Sequence, residues 1–260
     1  MCSARSRRPV AVAAVVALTF AGCGHPGPPT PHPSPGSPAP TAAPVDTNPL
    51  VGAVFLGGGD LHTCTGAVLH SGSGDLILTA AHCLAGGAPA TFVPGFSGDS
   101  GPAGTWTITA VYLDSRWMGK QDPVADFAIA RVSRDGAGSV ESVVGPGLSL
   151  GAAPHKGTLV TITAYPASVG GAPIGCRGKT ATGPRGFPSL SCDGMPDGTS
   201  GAPWLSGSSV VGLIGGLHGG GCNDNVSYSP PFDGALAGLL TRAEAAGPDD
   251  TPPAAFDGDC

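Results

Sequence analysis

An all-β fold followed by one C-terminal helix is what this 260-residue sequence predicts, and three observations carry the prediction. Between positions 50 and 246 the apolar residues fall in short runs rich in Val, Ile, Leu and Thr, separated by clusters of Gly, Pro, Ser and Asp. One run, 105–112, alternates with a period near two, as a half-buried strand does. The chain also holds 44 Gly and 28 Pro. Gly costs about 1 kcal/mol and Pro about 3 kcal/mol in a helix interior, which disfavours a helical bundle. No long alternation of strand and helix is present, so a parallel α/β sheet is disfavoured too. The expected core is a β-barrel or sandwich.

At the N-terminus, Arg5, Arg7 and Arg8 precede an apolar run from Val10 to Phe20. That run is too short to span a bilayer and reads, with its basic flank, as a secretory signal over residues 1–22. The following Ala21-Gly22-Cys23 resembles the lipobox of bacterial lipoproteins, with Phe20 where Leu is usual. That resemblance implies lipidation of Cys23 and anchoring to the bacterial membrane. Ordinary cleavage with release to the medium is the alternative. Residues 24–49 hold 10 prolines. A segment 23–49 of that composition has little apolar surface to pack, and as polyproline II it would extend roughly 80 Å. It is read as a spacer.

Within the segment 50–246, the expected strands are 51–56, 64–69, 75–79, 105–113, 125–132, 158–164 and 210–217. Asp233 is placed to cap a helix over Ala235–Ala246, with Leu236, Leu239, Leu240 and Ala243 on one face. The tail 247–260, with Asp249, Asp250, Asp257 and Asp259 among prolines, is expected to be poorly structured.

The net charge of −6 excludes nucleic acid as an expected partner, because phosphate binding needs clustered Lys and Arg. Loss of residues 1–22 leaves 9 basic against 18 acidic residues. Eight cysteines stand at 2, 23, 64, 83, 176, 192, 222 and 260. Without Cys2 and Cys23 an even number remains, in a chain addressed to an oxidising compartment, so disulfides are the expected state. No Cys-x-x-Cys pair occurs, and neither a metal nor an organic cofactor is expected.

Three short motifs carry chemistry. His82, in Thr79-Ala80-Ala81-His82-Cys83, follows an apolar strand and has small neighbours that leave room for an imidazole. Asp126 opens the otherwise apolar stretch Phe127–Ala130, where a carboxylate either caps a turn or receives an imidazole N–H. Ser200, in Asp197-Gly198-Thr199-Ser200-Gly201-Ala202-Pro203, is bracketed by glycines. Gly198 permits a backbone that aims its N–H, with that of Ser200, at a developing oxyanion.

The order His82, Asp126, Ser200 and the motifs around His82 and Ser200 resemble the chymotrypsin-like (trypsin-like) serine peptidases over residues 50–246. The resemblance implies two antiparallel six-stranded β-barrels, with His82 and Asp126 from the first and Ser200 from the second. It implies a secreted or surface-anchored serine endopeptidase acting on protein or peptide substrates, expected as a monomer. It also implies a Cys64–Cys83 disulfide at the His loop and a Cys176–Cys192 bridge across a second-barrel hairpin. Cys222 matches a family cysteine whose usual partner position here is Pro196, which leaves Cys260 as a candidate partner; the pairing of the four later cysteines stays open. Thr199 stands where animal members carry the Asp that receives a newly freed N-terminus, so the chain resembles secreted bacterial members instead. Specificity is open: Gly194 stands where trypsins carry the acid used against Arg or Lys, Asp193 or Asp197 is a candidate neighbour of the pocket, and His218 either faces an acidic side chain or is simply exposed at a surface turn. The alternative is a surface lipoprotein that uses the peptidase fold as a binding module without turnover.

Overall fold

The computed structural model describes residues 38–256 and 258, apart from 99–100 and 168–170. The expected signal, Cys23, most of the Pro-rich segment and Cys260 lie outside the described residues.

A short strand β1 (Ala43–Pro44) precedes six strands that close a barrel. These are β2 (Val51–Leu56), β3 (His62–Leu69), β4 (Leu76–Thr79), β5 (Ala90–Pro94), β6 (Trp106–Leu113) and β7 (Ala128–Ser133), in the order β2-β3-β4-β7-β6-β5. Every neighbouring pair is antiparallel. Val54, Leu69, Leu76, Leu78, Phe92, Trp106 and Ile129 fill the interior, each 0–1% exposed, so this half has a continuous apolar core. Two short helices, α1 (Ser115–Lys120) and α2 (Val140–Val144), flank β6 and β7 in sequence.

The second half contains β8 (Ser149–Leu150), β9 (Leu159–Ala164), β10 (Ile174–Lys179), β11 (Ala181–Thr182), β12 (Pro188–Ser191), β13 (Pro203–Ser206), β14 (Ser209–Leu213) and β15 (Val226–Tyr228). Its hydrogen-bonded ladders divide into a six-stranded sheet, β1-β10-β9-β13-β14-β8, and a three-stranded sheet, β11-β12-β15. Among the described residues only the first half is a closed ring by hydrogen bonding, and the β14–β8 pair is parallel. The Cys176–Cys192 disulfide, with Cα atoms 6.6 Å apart, joins β10 of one sheet to the end of β12 in the other.

Helix α3 (Gly234–Glu244) closes the chain's regular structure. Asp233 Oδ1 accepts from the N–H groups of Ala235 and Leu236, the N-cap bonds its position calls for. Leu236, Leu239 and Ala243 are buried against the first barrel, while Leu240 is half-buried.

The fold extends past both compositional boundaries. Before residue 50, Ala42 N–H donates to Asp193 O at 2.8 Å and Pro40 O accepts from Asp193 N–H at 2.9 Å, and β1 pairs with β10. Proline suits this edge because its fixed φ is extended and it supplies no donor to be left unpaired. After residue 246, the tail is tied down by Asp250, which forms an ion pair with Arg242 and accepts from Leu113 N–H at 2.8 Å. Asp250 acts there as an acceptor for donors of β6 and α3.

Candidate active site

Strand β4 delivers the chain into the 3-10 turn Ala81–Leu84, which carries His82. Ala80 and Ala81 are fully buried, so the turn lies flat on the barrel end and the imidazole stands at its rim. Cys83 bonds Cys64 of β3, with Cα atoms 6.0 Å apart, and this fixes the turn to the neighbouring strand.

Asp126 follows the 3-10 turn Pro123–Ala125 at the head of β7, and its side chain is fully buried. Burial of a carboxylate is costly unless donors surround it. Three do. Oδ2 lies 2.8 Å from His82 Nδ1, Oδ1 accepts from the His82 backbone N–H at 2.9 Å, and Oδ2 accepts from Gly216 N–H at 2.7 Å. The carboxylate therefore grips both the ring and the backbone of His82, which leaves the ring one orientation, with Nε2 directed away from Asp126.

Ser200 sits in the turn before β13, where the two halves of the fold are stitched together. Thr65 of β3 donates its N–H to Ser200 O at 2.8 Å. Its Oγ1 donates to Gly198 O at 3.1 Å and accepts from Tyr165 N–H at 2.9 Å. Gly201 N–H donates to Ile214 O at 2.7 Å. Two glycines are required here. Gly198 has φ +90°, and a Cβ on it would fall 2.2 Å from Ala167 N. Gly201 has φ +80°, and a Cβ would fall 2.1 Å from Thr65 O. Among the described residues, neither Gly198 N–H nor Ser200 N–H donates to a backbone carbonyl, so both are available to an oxyanion.

His82 and Ser200 line one cavity of about 260 Å³. No hydrogen bond joins them among the described residues, a looseness common where catalytic groups have no substrate between them. His218, Asp197 and Asp224 line the same cavity. Asp193 does not line it; its backbone is engaged with Pro40 and Ala42. Sequence reasoning missed Thr65, Gly216 and Phe256, whose ring stacks on that of His82 with centroids 5.1 Å apart and planes at 25°. Cys64, His82 and Cys83 bring ligand-type atoms within 4.8 Å of one another. The two sulfurs are bonded together, which leaves no thiolate there to hold a metal. Cys222 is disulfide-bonded as well.

The family model of the trypsin-like peptidase domain matches residues 64–213. Among solved structures, the protease Anisep from Arthrobacter nicotinovorans is similar, with TM-score 0.68 and 24% identity over 79% of this chain and 100% of that one. The thermostable serine protease AL20 from an extremophilic microorganism is similar with TM-score 0.67 and 23% identity, over 77% of this chain and 99% of that one. A Glu endopeptidase gives TM-score 0.65 at 18% identity, over 79% and 97%. Likeness at such identities is likeness of fold. No curated protein sequence matches the chain.

Proposed function

The chain belongs to the trypsin-like peptidases and is a serine endopeptidase by family, and we propose that Ser200, His82 and Asp126 are its catalytic triad. Ser200 Oγ attacks the scissile carbonyl while His82 Nε2 takes its proton. The tetrahedral oxyanion rests on the N–H groups of Gly198 and Ser200. His82 then returns the proton to the leaving amine, and water repeats the sequence on the acyl-enzyme. Asp126 holds the Nδ1–H tautomer and stabilises the imidazolium that each transfer creates. The observation that carries this reading is the buried Asp126 carboxylate 2.8 Å from His82 Nδ1, with a second oxygen on the His82 backbone. A carboxylate that only capped a turn would need neither burial nor the imidazole.

The test is labelling by a fluorophosphonate probe, which reacts with an activated serine. The wild type labels at Ser200 and Ser200→Ala does not. A folded wild type that stays unlabelled would instead support the non-catalytic binding module. We further assign the mature protein to the cell exterior, anchored through a lipid on Cys23 and held off the membrane by the Pro-rich spacer. The basic, apolar and Cys-terminated order of residues 1–23 supports this, as do the disulfides. Mass spectrometry of the mature N-terminus checks it, and an unmodified N-terminus downstream of Cys23 would refute it.

A further inference from the structure

The tail beyond α3 makes a sequence of specific contacts that ends over the catalytic histidine. Asp250 is fixed by Arg242 and by Val111 O and Leu113 N–H on β6. Pro253 O accepts from Gly86 N–H at 2.7 Å, beside the His82 turn. Ala255 O accepts from Gln121 Nε2 just beyond α1. Phe256 then lays its ring on the His82 imidazole and against Trp117, whose centroid is 5.3 Å away. A Cβ on Gly219 would come within 3.3 Å of the same ring, so Phe256 spans from the first half of the fold to the second. Phe256 and Gly258 line the Ser200 cavity together with Cys222.

The cavity wall that Phe256 meets is already turned in on itself. Leu217–Gly220 is a 3-10 turn in which Gly219 N–H donates to Gly216 O and Gly221 N–H to His218 O. An extended peptide chain binds by pairing with free backbone groups along an edge. Here two of the wall's N–H groups are taken by its own turns, and the ring of Phe256 packs beside Gly219.

We propose that residues 249–256 form a strap across the catalytic cleft, fixed at Asp250, Pro253 and Ala255, with Phe256 capping His82 and restricting access to Ser200. The proposal deepens the peptidase reading and rests on it for its consequence, but the strap itself is testable without turnover.

The experiment compares the full chain with Phe256→Ala, which removes the cap, and with Asp250→Asn, which weakens the strap's anchor on Arg242 away from the cavity. In a Ser200→Ala background, carbethoxylation of His82 by diethyl pyrocarbonate reads access to the imidazole independently of catalysis. In the Ser200 background, the rate of fluorophosphonate labelling reads access to the nucleophile. Both rates should rise roughly tenfold in Phe256→Ala, the size expected when one half-buried aromatic contact is deleted. Asp250→Asn should raise them as well. An unchanged His82 rate in both variants overturns the strap. Faster His82 modification with no labelling in any form would overturn the peptidase reading and leave the strap standing. Labelling of all forms at one rate with His82 unchanged would do the reverse.

Discussion

Asp126 is fully buried among three donors, so its charge is used within the protein. Replacing it by Asn keeps the shape but puts a donor NH₂ where a carboxylate oxygen stood. At the Oδ1 position the NH₂ faces the His82 backbone N–H; at the Oδ2 position it faces Gly216 N–H and His82 Nδ1 together, and the imidazole is then driven to the tautomer that cannot take the serine proton. The expected loss for Asp126→Asn is about 10⁴-fold in kcat with little change in KM, measured on a peptide substrate. At this scale the three side chains proposed as the triad were legible because each stands in a short, chemically marked stretch. Thr65 was not legible, since a threonine inside an apolar strand carries no mark of what it meets. Its hydroxyl bonds Gly198 across 133 positions of sequence. Gly216 was hidden for the opposite reason: it is one of many glycines, and only the fold brings its N–H to Asp126.

The elements differ in how far periodicity reveals them. Strands β2, β3, β4, β6, β7 and β9 are runs of Val, Ile, Leu and Thr, and the sequence places each to within a few residues. Strand β10, Ile-Gly-Cys-Arg-Gly-Lys, has no apolar face to read and is held instead by pairing on both sides and by Cys176. Strand β13 begins at Pro203, a residue that punctuates most strands but here starts one. The disulfides do at this scale what apolar runs do elsewhere. Cys64–Cys83 closes a loop of separation 19 and clamps the His82 turn to β3. The double replacement Cys64→Ser/Cys83→Ser should lower the unfolding free energy by about 3 kcal/mol, read by chemical denaturation, if the loop-entropy account holds. It should also reduce kcat at temperatures where the protein stays folded, because the turn that positions His82 loses its tether. Unchanged stability would show that packing of Ala80, Ala81 and Leu84 holds the turn unaided.

For the molecule as a whole, the question is which groups set its behaviour in acid. His62 is nearly fully buried, in van der Waals contact with the rings of Phe55, Phe96 and Tyr165, with centroids 5.5–6.0 Å from its own. Burial in that aromatic surround pulls its pKa below the ordinary 6.5, with a backbone hydrogen bond at Tyr165 acting the other way. The folded protein thus resists a proton that the unfolded chain accepts. Its contribution is complete above pH 6.5 and declines as pH falls from 6.5 toward the lowered folded value. Two carboxylates act lower on the scale. Asp114 is held below the ordinary 3.8 chiefly by its hydrogen bond from Arg116. Glu141 is held below 4.5 despite the upward push of burial, because Gly147 N–H, His70 and Ser71 N–H donate to it. Both stabilise the fold above their unfolded pKa values and are lost as pH falls through the depressed ones. His70 runs the other way, since the Glu141 hydrogen bond raises its pKa and its contribution fades as pH rises through that raised value. It is fully exposed, so His62 dominates near neutrality. Stability should therefore fall in two stages on acidification, first below about pH 6.5 and again below about pH 4.5. Denaturant midpoints taken from pH 8 to pH 3 resolve the stages. His62→Gln removes the titrating group while keeping a polar side chain of similar length, and it should flatten the first stage and leave the second. If the first stage persists in His62→Gln, its proton goes elsewhere, and the aromatic surround of His62 is not what makes this fold sensitive to mild acid.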